Sequence, residues 1–269
     1  MAARRGEPRR PAGRGPLSVV ERLRAAGVVF AEDEAALLEE AGGDLEALVA
    51  RRVAGDPLAP LLGWAAFDGL KVPVDPHVFV PRRRTELLAR AAAERARQGA
   101  VVVDLCCGTG AVGLAVARRV PGVELHAADL DPAAVANARR TLAGVGAAHE
   151  GDLLDALPAA LRGRVDVLAV NAPYVPTDRI ADMPREARDF EPAMALDGGA
   201  DGLDLHRRVA AAAPAWLAPG GAVLIETGRT QAAWTALLLE GAGLDVAVVA
   251  DDEVDGTVAI GVLPLRPTG

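Results

Sequence analysis

Apolar residues early in the chain recur at helical spacing, whereas further on they gather in short blocks separated by glycine-rich turns. Ser18-Val19-Val20-Glu21 is a capping-box pattern and Gly27 a stop, which predicts a first short helix. A second helix is expected near 32–41. A third begins at Asp44 and puts Leu45, Leu48, Val49 and Val53 at helical spacing before Gly55. These form a helical unit of about fifty residues, too short to bury a generous core alone, and Gly55-Asp56-Pro57 ends it. Phe67-Asp68-Gly69-Leu70 then carries an Asp-Gly turn signal flanked by Val72, Val74, Val78 and Val80, so 64–80 reads as a hairpin linker.

From Thr85 onward helices and strands alternate. Helices are expected over 85–98, 111–120, 132–143, 203–217 and 230–240. Strands are expected over 100–105, 123–128, 165–170 and 222–226, with a short one near 147–151. Two β-rich runs, 244–250 and 257–263, close the chain. Alternation of this kind predicts an α/β fold built on a doubly wound parallel sheet, and two consecutive final strands predict an antiparallel pair at its end. The organisation expected is a disordered basic tail over 1–16, a helical recognition domain over 17–63, the linker, and a catalytic domain over 81–269.

Composition narrows the function. At 269 residues and 51% apolar content the chain can bury one large core, and no apolar run approaches a membrane span. Five arginines and one glutamate give the first sixteen residues +4. Against a total of −8 this leaves −12 for the rest, and so acidic a body disfavours nucleic acid as the principal partner. Arg4, Arg5 and their neighbours do not open a signal peptide, because Glu21, Arg22 and Arg24 interrupt any apolar stretch. The two cysteines, Cys106 and Cys107, are adjacent and have no partners for a disulfide or a zinc site, which points to the reducing cytoplasm. Four scattered histidines show no ligand spacing, and no metal is expected.

In a doubly wound sheet ligands bind beyond the carboxyl ends of the strands. Asp104-Leu105-Cys106-Cys107-Gly108-Thr109-Gly110 lies there, with glycines that let backbone approach a ligand and a helix N-terminus beyond. The next strand ends at Asp129-Leu130, about twenty residues on, where a carboxylate accepts both hydroxyls of a ribose. Asp131 is expected to cap the helix opened by Pro132. Asp152, followed by Leu153, either receives an adenine amino group or caps a helix. A nicotinamide enzyme could share these features. What separates this chain is Asn171-Ala172-Pro173-Tyr174, which follows the apolar strand Val165 to Val170. An amide acceptor, fixed carbonyls, a rigid Pro and a flat ring are what is needed to hold a planar nitrogen against a methyl donor. The closing antiparallel pair also suits methyltransferases better than dehydrogenases.

In their order and spacing these landmarks resemble the HemK/PrmC family of protein glutamine N-methyltransferases. The resemblance begins near Asp56, with Asp56-Pro57-Leu58 and Leu61-Leu62-Gly63, and continues through Val80-Pro81-Arg82 with Thr85-Glu86. It then takes in the glycine turn and Asn171-Ala172-Pro173-Tyr174, followed by Glu191-Pro192 and Gly198-Gly199 with Asp201-Gly202-Leu203. It closes on Pro219-Gly220-Gly221, Glu226, Gly228 and Gln231. It implies a Rossmann-like class I S-adenosylmethionine-dependent sheet and methylation of the Gly-Gly-Gln glutamine of class 1 release factors, with S-adenosylhomocysteine as product. It further implies that Asn171, through its side chain, and Ala172, through its carbonyl, accept the amide N–H groups. Pro173 would hold the turn, Tyr174 would pack on the amide, and Arg82 and Thr85 would lie on the acceptor side. Cofactor contacts are assigned to Asp104, Cys106, Gly108, Thr109, Gly110, Asp129, Leu130, Asp152, Leu153 and Asn171.

Two positions depart from the family pattern. Ala172 stands where the family has a second Pro, which keeps the carbonyl and loses a ring that stiffens the loop. Arg83 and Arg84 stand where it has Pro and Glu, which bears on the substrate more than on the reaction. Arg82, Arg83 and Arg84 read as a solvated face, with contact to an acidic partner as the alternative. Glu191 and Gln231 read as structural, and 191–202 as a long loop that could order over the substrate. The rival readings are a paralogous N-methyltransferase acting on another protein or peptide, an adenine N-methyltransferase acting on nucleic acid, and a cofactor-binding protein with a degenerate site.

Overall fold

A computed structural model describes residues 17–265; the basic tail expected over 1–16 lies outside the described residues. The chain opens with α1 (Val19–Ala25), α2 (Ala31–Ala41), α3 (Leu45–Ala54) and α4 (Leu58–Leu62). The local signals act as expected. Ser18 and Glu21 make the reciprocal capping box, Asp44 caps α3 through the Ala47 N–H at 3.1 Å, and Gly55 ends it in the left-handed region. Leu23, Leu38, Val49 and Leu61 form a small core of their own. The helix α4 was not anticipated, because Pro57 reads as a break. Here it is the N-cap, and burial of Leu61 holds a five-residue helix.

Strands β1 (Trp64–Phe67) and β2 (Leu70–Pro73) pair antiparallel around Asp68-Gly69. Both turn residues have positive φ, 48° and 74°, which matches the twist of the ribbon. The hairpin is shorter than the expected 64–80. Val74 and Val78 are buried, but 74–80 has no strand partner. Asn137 binds this segment instead, accepting the Asp75 N–H at 2.8 Å and donating to the Pro73 carbonyl at 2.9 Å.

The rest alternates as predicted: α5 (Glu86–Arg95), β3 (Val101–Leu105), α6 (Ala111–Arg119), β4 (Glu124–Asp129), α7 (Pro132–Thr141), β5 (Gly146–Glu150) and β6 (Val165–Val170). A short helix α8 (Arg185–Phe190) interrupts the long connection to α9 (Asp204–Trp216). Then come β7 (Leu217–Glu226), α10 (Ala232–Gly241), β8 (Asp245–Asp251) and β9 (Gly256–Val262). The seven-stranded sheet has the order β5-β4-β3-β6-β7-β9-β8, and β9 runs antiparallel to both its neighbours.

Side chains alternate across the sheet. Val101, Val103 and Leu105 of β3 join Val209, Ala213 and Leu239 of α9 and α10 on one face. Val102 joins Leu88, Ala115 and Val135 of α5, α6 and α7 on the other. Asp104 shares the parity of Val102, so its carboxylate is turned toward α6. The order reverses beside β3, with β4 on one side and β6 on the other, and the crevice at their carboxyl ends is where the predicted site residues fall. No helix among the described residues is long and apolar enough to cross a membrane.

Candidate active site

The turn after β3 is held from below and beside. Asp104 is 1% exposed and accepts the Gly113 N–H at 2.8 Å, and burial raises its carboxyl to about 7. Cys106 and Gly108 both take left-handed backbone, at φ 56° and 52°. For Cys106 that is a strained conformation, maintained because Cys107 donates to the Ala128 carbonyl at 3.1 Å. Burial pushes both thiols up, so neither is a reactive thiolate.

Asp129, at the end of β4, accepts the Gly108 N–H at 2.8 Å and the Asp131 N–H at 3.0 Å. Each oxygen keeps a lone pair for a ligand hydroxyl. Asp131 caps α7 through the Ala133 N–H, as its sequence position predicted. Asp152 neither caps the short turn that follows it nor stands free, because Arg208 of α9 binds it at 2.7 Å. Leu130, 53% exposed, and Leu153 give this end of the crevice apolar walls.

The second half is built on β6. Asn171 and Pro173 line the crevice, and Ala172 is 1% exposed. The turn is braced from behind by the glycine-rich segment at 198–202. Gly198 donates to the Val175 carbonyl at 2.8 Å, and a Cβ on Gly202 would collide with the Tyr174 carbonyl. Gln231 donates to the carbonyls of Tyr174 and Asp201, both at 3.0 Å, which is the structural role expected of it. The Tyr174 hydroxyl donates to Glu226 Oε1 at 3.3 Å, and burial with that carboxylate raises its pKa.

Of the predicted residues, all but Gly110 line one cavity of about 500 Å³. Gly110 sits behind it, where a Cβ would press on Leu142 and Ala138 of α7. Arg83 and Arg84 are exposed, as a solvated face would be, but Arg82 and Arg84 also have acidic partners within the chain. Arg82 binds the buried Glu191 at 2.6 Å, Arg84 stands 3.6 Å from Glu226, and both line the cavity. Glu191 also accepts the Val80 N–H at 3.2 Å, and burial raises its carboxyl. The residue sequence reasoning left without a role is Glu226. Its signal was available: a lone acid that ends the apolar run Val223-Leu224-Ile225, as Asn171 ends β6.

This arrangement has parallels. The Methyltransferase small domain family matches residues 75–184. A methyltransferase from Pyrococcus furiosus has the same fold, with a TM-score of 0.55 at 15% identity over 73% of this chain and 90% of its own. A release factor glutamine methyltransferase from Streptomyces coelicolor is 42% identical across 68% of this chain and 67% of its own length. One from Cereibacter sphaeroides is 39% identical across 81% and 77%. One from Geobacter sulfurreducens, 39% identical over 69% of this chain, is spanned for 65% of its length, just under two thirds. At 42% and 39% identity over two thirds or more of both chains, the Streptomyces and Cereibacter relatives show that the chain belongs to the release factor glutamine methyltransferase family.

Proposed function

We propose that this protein transfers a methyl group from S-adenosylmethionine to the side-chain amide nitrogen of a polypeptide glutamine, that of the Gly-Gly-Gln loop of class 1 peptide chain release factors. The observation that carries the reading is the meeting, in one cavity, of the strained turn at Cys106 and Gly108, the Asp129 carboxylate and the Asn171 turn. The donor half fits S-adenosylmethionine. Asp129 has lone pairs left for a diol, Leu130 and Leu153 offer apolar walls to a planar base, and the carboxylates around the crevice suit a cation. Bound there, S-adenosylmethionine supplies an electrophilic methyl group and leaves as S-adenosylhomocysteine.

An amide nitrogen is a weak nucleophile because its lone pair is delocalised, so the protein's task is orientation and charge stabilisation. Asn171 accepts one N–H through its side chain and Ala172 the other through its carbonyl, while Tyr174 holds the plane. A nitrogen–carbon bond forms as the sulfur–carbon bond breaks, and the amide proton departs to water at the mouth of the cavity. Thr85 and Arg82 line the acceptor side. The partner is a polypeptide in the cytoplasm, with neither a membrane nor direct nucleic-acid binding required.

Transfer of labelled methyl to purified class 1 release factor, with the site mapped by mass spectrometry and Asn171→Ala as control, tests the reading. Label on the Gly-Gly-Gln glutamine that the variant fails to deliver is the expected result. Cofactor binding without transfer to any release factor would overturn the substrate.

A further inference from the structure

Glu226 ends β7 at 2% exposure and lines the acceptor end of the cavity. A carboxylate so buried is kept only with partners. They come from two other elements. The Tyr174 hydroxyl, after β6, donates to Oε1 at 3.3 Å, and the Arg84 guanidinium, from the turn before α5, stands 3.6 Å from the same oxygen. Burial raises the Glu226 carboxyl, while the Thr85 hydroxyl, Arg84 and the Tyr174 hydroxyl favour its ionised form. Arg84 has a second contact, because its guanidinium lies over the Tyr174 ring, 5.9 Å from the centroid.

Tyr174 is thereby gripped at two points beyond its backbone. Gln231 fixes the residue's carbonyl and so places the turn, but a main-chain brace does not set the ring. A hydrogen bond at the hydroxyl fixes where the ring axis points, and a cation over one face resists rotation about that axis. Both matter to a reaction that depends on orientation, where a misplacement of about 1 Å costs on the order of a hundredfold in rate. We propose that Glu226 and Arg84 are positioning residues for methyl transfer: Glu226 holds the Tyr174 ring by its hydroxyl and Arg84 by one face, leaving the other face as the wall for the acceptor amide. This rests on the glutamine reading above and deepens it, by adding two residues that act through a third.

Tyr174 is the chain's one tyrosine, so tyrosine labelled with carbon-13 in its ring reports this side chain alone. Ring-flip rates from NMR line shapes test the grip without any substrate. Glu226→Met, which has no acceptor, should flip about tenfold faster than the native enzyme, the worth of a hydrogen bond to a charged group. Glu226→Gln keeps an acceptor and should return toward the native rate, and Arg84→Gln should flip about threefold faster. In transfer to release factor, Glu226→Met should lose roughly tenfold to a hundredfold in kcat with KM within about threefold, because orientation rather than binding is lost. In a Tyr174→Phe enzyme, whose ring has no hydroxyl to hold, the same substitution should cost less than about threefold, since coupled partners are not additive. Unchanged flip rates, or equal kcat costs in both backgrounds, would overturn the proposal. So would a raised kcat in Arg84→Gln, which would put the guanidinium in the acceptor's place. Failure of the native enzyme to methylate release factor would overturn the glutamine reading, and the flip rates would still decide the grip. Calorimetry with S-adenosylmethionine checks that each variant keeps a folded donor site; Arg84→Gln carries the flip measurement if Glu226→Met does not.

Discussion

Lowering the pH from 7 to 5 asks His206 to accept a proton where its charge has no counterpart. The side chain is fully buried between α9 and α10, with Nδ1 3.0 Å from the Thr235 hydroxyl and Nε2 without a partner among the described residues. Burial, and then the Arg207 cation, push its pKa from 6.5 down to about 4. The unfolded chain therefore binds the proton more readily. Stability is complete above about pH 6.5 and drains away as pH falls toward 4, by about 3 kcal/mol over the whole window and about 2 kcal/mol between pH 7 and pH 5. Asp104, raised to about 7, works in the opposite direction, so the bare pH profile is not diagnostic. The subtraction against His206→Gln is, because every other titrating group is common to both proteins. Urea denaturation at pH 7 and pH 5 should find the variant gaining about 2 kcal/mol on the native protein at the lower pH, with equal m-values. A difference that stays constant within about 0.5 kcal/mol would refute the argument.

Further tests reach other parts of the molecule. Asp129→Ala removes a charged acceptor and frees the Gly108 N–H, and should weaken S-adenosylmethionine about tenfold to a hundredfold by calorimetry; unchanged affinity would take Asp129 out of the donor site. Gly202→Ala, at φ 75° against the Tyr174 carbonyl, should lower stability by about 2 kcal/mol or more in urea and depress methyl transfer. Arg52, 8% exposed, holds Glu34 at 2.5 Å on α2 and Glu186 at 2.5 Å on α8. Arg52→Ala should cost about 3 kcal/mol locally, read as lost hydrogen-exchange protection in α2 and α3 with the sheet unaffected.

What could be read from the sequence was what is decided locally. Ser18, Asp44 and Asp131 announce their helices because a cap acts within three residues, and β6 is found to the residue because a buried parallel strand is a near-continuous apolar run, interrupted here only by Asp166. The cavity lining was legible for the same reason: strand ends carry it, and the polar residues that end apolar runs are visible. What escaped depends on distant partners. Val74 and Val78 alternate like a strand, but Asn137, more than sixty positions away, has taken the backbone groups that pairing would use. Asp152 looks like a cap until Arg208 claims it, and Arg82 looks solvated until the chain brings Glu191 beside it.

The Arg52 cluster also imposes an order in time. Glu34 lies 18 positions before Arg52, whereas Glu186 lies 134 positions after it. At synthesis rates of roughly 5–20 residues per second, Glu186 is made about 7–27 s after Arg52. During that interval Glu34 alone neutralises the guanidinium, so the four helices can close their own core around a paired charge. The N-terminal helical unit thus has what it needs to close before the sheet is made, and α8 docks on it later through Glu186.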